Sequence, residues 1–140
     1  MTMSYQRADD TLQAALNTET ADDVYLWLHT GDPGADGTAA VAKQPDGTTD
    51  IVRKAVSFAS PENHGTNDER RCLSDSSVEW TGEEIDDGQE ITHFSIWSDD
   101  EGGQPEFVSG VVESKTVGSD GVTVGEGDIE CAIEVHEKPA

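Results

Sequence analysis

The chain is short of positive charge. Eight of its 140 residues are Lys or Arg against 30 Asp and Glu, a formal net charge of −22. Phosphate contacts need clustered bases, so no nucleic-acid partner is expected. Long apolar runs are missing too: no stretch approaches the ~20 residues of a membrane span, so no membrane insertion is expected. The opening MTMSYQRADDTLQAAL holds no apolar core of signal-peptide length, which predicts synthesis in the cytoplasm. Cysteine is limited to Cys72 and Cys131, far apart and outside any CxxC or zinc spacing. Two buried free thiols are expected, with a disulfide as the alternative in an oxidising medium. No GxSxG elbow, P-loop or GxGxxG occurs. Cys72 has only Arg70 and Arg71 nearby to activate it. No catalytic residue, cofactor or metal ligand is assigned, and the chain is not expected to be an enzyme.

What is present is acid, spread along the whole sequence. Asp9, Asp10, Asp22, Asp23, Glu83, Glu84, Asp86, Asp87, Asp99, Asp100 and Glu101 span it from end to end. A block of acids reads as a tail, whereas a dispersed excess reads as adaptation to high salt. Above about 1 M salt the Debye length is roughly 3 Å, which screens the self-repulsion such a surface suffers in dilute buffer.

The length fits one domain, able to bury roughly two thirds of its unfolded surface. Ala8, Leu12, Ala15 and Leu16 share a helical face and predict a short helix over 9–16, capped by Asp9 or Asp10. From Asp23 onward the period becomes two. Strands are expected at 24–29, with both faces covered, and at 51–58, with Val52, Val56 and Phe58 on one face. Further strands are expected at 71–73, 78–80, 91–97, 107–112 and 117–124, the last broken by a turn at 118–121. The closing 129–135 segment alternates apolar Ile129, Cys131, Ile133 and Val135 with Glu130, Ala132 and Glu134. The stretch 60–70 reads as a polar loop. Turn residues punctuate the strands at 30–34, 44–47, 81–90 and 98–105. The fold class is therefore all-β: a β-sandwich or jelly-roll-like domain over 23–140, preceded by an arm and short helix over 1–22.

Five segments then occur in series: LWLHTGDPG at 26–34, VRKAVSFASP at 52–61, VEW at 78–80, ITHFSIWSDDEGG at 91–103 and VGEGDIECAIEV at 124–135. Their order resembles a family of small β-sandwich virion proteins encoded by tailed phages, over nearly the entire chain from Thr11 to Val135. The resemblance implies a tail-fibre-like, minor tail or head-decorating component, found in the virion after synthesis in the host cytoplasm. Ser95 stands where glycine is common in that family, and the 64–71 region is more charged than usual.

Four histidines, His29, His64, His93 and His136, invite a metal reading, with His29 and His93 as one conceivable pair. A metal site needs three or four convergent ligands, so capping or packing roles beside Trp27 and Trp97 are preferred. Asp99, Asp100 and Glu101 before Gly102, with Asp32, resemble an oxygen-rich calcium loop but lack its distal bidentate Glu. Solvated surface acids are the simpler reading. Trp27, Trp80 and Trp97 would serve as a sugar platform or, more simply, as core and interface anchors.

The expected function is structural: a non-enzymatic piece of a tailed virus particle infecting a halophilic archaeon. Its partners are other copies of itself and other virion proteins. The chain is too short for a full fibre, which favours a capsid decoration or turret. The alternative is a tail protein (fibre, baseplate or minor tail) or a carbohydrate-binding module that recognises host-surface glycans.

Overall fold

A computed structural model describes residues 4–18, 23–63 and 69–135. Within them the order is α1 (Tyr5–Leu16), β1 (Val24–His29), β2 (Lys54–Val56), β3 (Glu62–Asn63), β4 (Glu69–Leu73), β5 (Val78–Thr81), β6 (Glu90–Trp97), β7 (Pro105–Thr116), β8 (Gly121–Val124) and β9 (Glu130–Glu134). The strands form antiparallel sheets ordered β2-β1-β6-β7, β3-β4-β9 and β5-β8. The architecture is an all-β sandwich with one short N-terminal helix.

β1 sits between β2 and β6, and its residues alternate between two destinations. Val24, Leu26 and Leu28 enter the main core with Phe94, Ile96, Trp80 and Ile129. Tyr25, Trp27 and His29 point to the other face, opposite Trp97, Ser95 and His93 of β6. The 30–42 segment covers that face, held by Thr30 N–H to Ala40 O and Ala42 N–H to Leu28 O. Both faces of β1 are thus covered, which is why its sequence lacks a wet side.

The helix begins earlier than its apolar spacing indicates. Ser4 is the N-cap and its hydroxyl accepts from Arg7 N–H at 3.3 Å, placing Asp9 and Asp10 inside α1 instead of at its start. Ala8, Leu12 and Leu16 are buried on one face. Asp9 instead pairs with Arg70 of β4, Nε to Oδ1 at 2.7 Å and Nη2 to Oδ2 at 3.0 Å. That fork ties the helix to the β4–β9 sheet.

The 51–58 segment departs from the expected continuous strand. Ile51 is buried and Val52 is 52 % exposed, so Val52 does not share a face with buried Val56 and Phe58. The cause is a pair of indoles. Trp27 Nε1 donates to Ile51 O at 2.7 Å and Trp80 Nε1 donates to Val52 O at 2.8 Å. Two successive carbonyls spent on tryptophans leave only 54–56 to pair with β1. The polar 60–70 stretch is likewise not all loop, since Glu62–Asn63 pairs with Arg70 and Arg71.

β7 runs longer than the expected 107–112. Its register with β6 jumps from His93↔Gly110 to Ile91↔Lys115, so 111–114 bulge out of the ladder. At the β8 start, Gly121 has φ +97°, and a Cβ there would meet Trp80 O at 1.9 Å. Only glycine lets this turn close onto β5. Cys72 and Cys131 lie directly opposite each other in the β4–β9 pair, both buried, both free thiols.

Candidate functional site: the Trp27–Arg53 cleft

The outer face of β1 and β6 carries a closed hydrogen-bond chain. His29 Nδ1 lies 2.8 Å from Ala39 O, and a carbonyl only accepts, so the proton sits on Nδ1. Nε2, 2.8 Å from Ser95 Oγ, then accepts the serine O–H. Ser95 Oγ in turn accepts from Trp97 Nε1 at 2.7 Å. Every polar atom of this buried set is satisfied with His29 neutral. Burial pulls the His29 pKa below 6.5; the bond to Ala39 opposes this, His93 adds to it and Asp50 opposes it.

Next to this network, the Arg53 guanidinium lies 3.7 Å from the Trp97 ring centroid and 4.5 Å from that of Trp27. The two indoles meet edge to face at 5.8 Å. Arg53 Nη1 donates to Asp99 O at 3.1 Å and Gly102 O at 2.7 Å, fixing the 99–103 turn. The result is a cleft of about 340 Å³ lined by Trp27, Ile51, Val52, Arg53, Asp100, Glu101 and Gly102. β1 supplies its aromatic wall, the pinned 51–53 segment its apolar and cationic wall, and the turn after β6 its carboxylates.

Of the residues the sequence singled out, the structure brings Trp27 to Trp97 and to the 99–103 turn and sets Trp80 in the main core. Trp80 and Trp97 are buried and form no exposed platform; only Trp27 reaches the cleft. His29 and His93 are cross-strand partners, but both His29 nitrogens are spent on Ala39 and Ser95. His93 Nδ1 meets Thr92 Oγ1 at 2.9 Å. His64 and His136 lie outside the described residues. Asp32 accepts from Gly34 N–H at 2.9 Å within its own turn. Among the described residues no three His, Cys, Asp or Glu side chains converge as a metal set. Burial, reinforced by Asp9, pushes the Cys72 thiol up to about 12, and burial raises Cys131 well above its ordinary value. Neither is a poised nucleophile.

Arg53 was not singled out by the sequence reading, although it organises the cleft. Its one visible signal was a base set between Val52 and Lys54 in an acid-rich chain. Its aromatic partners come from β1 and β6, which no local pattern reveals. Among the described residues no helix is long and apolar enough to cross a membrane.

No curated protein matches the chain. The Gp80 family, described as podophage GP4 fiber I protein gp80, matches residues 2–130. With a match of that extent the chain belongs to the Gp80 family, a family of tailed-phage virion proteins.

Proposed function

We propose that this chain is a non-enzymatic component of the tail-fibre apparatus of a tailed virus, associating with copies of itself and with other virion proteins. The observation that carries the reading is the family match over 2–130. It supports the tail over the capsid decoration or turret that chain length alone favoured. The dispersed acid excess supports a host living in high salt, a halophilic archaeon.

Assembly runs through strand edges more readily than through the helix. The apolar face of α1 is already spent on its own sandwich and tied down by the Asp9–Arg70 fork. α1 and the strands it packs on thus act as one piece. β7 is the last strand of its sheet, twelve residues long, and pairs with β6 on one side. Up to the 111–114 bulge, its paired 105–110 stretch is an edge that can template a strand from a second copy or a neighbouring virion protein. Immunogold labelling of intact particles at high salt tests the placement. Label on the tail is the expected result; label on the capsid faces would return the protein to a decoration role.

A second reading, adsorption to host-surface glycans, is favoured by one observation. Trp27 and the 99–103 turn meet in a single cleft.

A further inference from the structure

We infer that the Trp27–Arg53 cleft binds a neutral saccharide, one or two hexose rings of a surface glycan. Its use in adsorption rests on the glycan reading, while binding itself belongs to a single copy wherever that copy sits. The walls supply three kinds of contact side by side. Val52 is the exposed large hydrophobic residue among the described ones, and it flanks the Trp27 indole, giving an apolar wall. Arg53 is held in place by two ring contacts and two carbonyls, all through its plane and Nη1. Its Nε and Nη2 donors have no protein acceptor among the described residues. Across the cleft, the exposed Asp100 and Glu101 carboxylates have no hydrogen-bonding partner there either. Fixed donors, free acceptors and an apolar wall together match a pyranose, which has C–H faces and a rim of hydroxyls that both donate and accept.

Charge narrows the class further. A cationic ligand would meet the Arg53 guanidinium inside the cleft, and an anionic one the two carboxylates and the net charge of −22. In molar salt long-range attraction is screened in any case, so short hydrogen bonds and ring contacts must carry recognition. The volume of about 340 Å³ lies at the small end of ligand sites, roughly 300–1,000 Å³, and limits the ligand to one or two rings. Single-site affinity is then weak, and repeated copies on one particle would raise it by avidity.

Saturation-transfer NMR on the purified chain in molar KCl tests this with three probe groups. They are neutral glucosyl, galactosyl, mannosyl and N-acetylglucosaminyl disaccharides; a glucuronate-containing disaccharide; and spermidine. At least one neutral disaccharide should bind and shift the Trp27 indole N–H. The Asp100→Asn/Glu101→Gln double variant, which alters only exposed side chains, should keep the wild-type melting temperature and weaken binding by about tenfold or more. Val52→Glu should do the same. No binding of any neutral sugar up to ~10 mM overturns the inference. So does binding confined to the uronate or spermidine, or undiminished binding by the double variant. Particle labelling reads the tail placement separately, so failure of one leaves the other standing.

Discussion

His29 Nε2 and Ser95 Oγ lie 2.8 Å apart in the buried outer layer between β1 and β6. Among the described residues the Ser95 hydroxyl alone meets both the His29 ring and the Trp97 indole N–H, so it has a defined task. Ser95→Ala should leave an imidazole nitrogen and an indole N–H buried without partners. The expected loss is about 2 kcal/mol or more of unfolding free energy, read by denaturant titration in molar KCl. A loss under about 0.5 kcal/mol would mean the chain of bonds is not formed in solution.

The same network sets a pH response. Burial lowers the His29 pKa from 6.5, with the Ala39 bond and Asp50 opposing and His93 reinforcing. A depressed folded-state pKa means the unfolded chain takes up the proton first. The contribution of neutral His29 is therefore complete above pH 6.5 and is lost as pH falls below that value toward the folded pKa. Nitrogen-15 spectra of the imidazole at pH 6.5 should show a neutral ring protonated on Nδ1. An imidazolium signal at that pH contradicts the assignment.

Much of the fold was legible because burial on a sandwich writes itself as alternation. Val78 and Trp80 are buried between exposed Glu79 and Thr81, and in the last strand Ile129, Cys131 and Val135 are buried as expected while Ile133 is only half-buried. Alternation fails where a side chain from elsewhere captures the backbone. At 51–53, Trp27 and Trp80 take consecutive carbonyls, and Val52 turns outward. The start of α1 was missed because Ser4, its cap, lies before the first apolar position. The cleft was half visible: Trp27 and the 99–103 turn drew attention separately, but only tertiary packing places Arg53 between Trp27 and Trp97.

The Asp9–Arg70 fork should be the main polar tie between helix and sheet. Arg70 also donates to Asn63 Oδ1 at 3.0 Å and Pro61 O at 3.3 Å, so it organises the β3–β4 corner as well. Asp9→Ala is expected to cost about 1 kcal/mol, in line with a partly buried charge-assisted pair. Arg70→Ala should cost more, since it also releases the corner. Equal losses, measured by thermal melting, would show that the corner contacts contribute nothing.

Cys72 and Cys131 face one another inside the β4–β9 pair, and burial raises both thiol pKa values. At pH 8 alkylation of the folded chain should be much slower than that of an ordinary thiol, because burial both shields the sulfurs and disfavours the thiolate. Iodoacetamide followed by mass spectrometry should give no adduct in native buffer and two after unfolding. Rapid labelling of the native protein would place β9 away from β4.

Salt should stabilise this protein, although its visible ion pairs argue the other way. Lys43, Lys54, Arg70, Arg71 and Lys115 each hold an ion pair between neighbouring segments, and salt weakens such pairs. Each exposed pair is worth only about 0–1 kcal/mol, however, so their combined loss is small. Set against it is the repulsion among thirty acids with eight bases to offset them, which acts across the whole surface in dilute buffer. Repulsion wins, and the melting temperature should climb as KCl rises from ~0.1 M to ~3 M, where the screening length shrinks to a few ångströms. Glu83 and Asp87 are exposed and have no ion pair among the described residues. Converting both to lysine should therefore raise the low-salt melting temperature and flatten the KCl dependence. A melting temperature that falls steadily with KCl, or a double variant less stable at low salt, would show that the ion pairs outweigh the surface field.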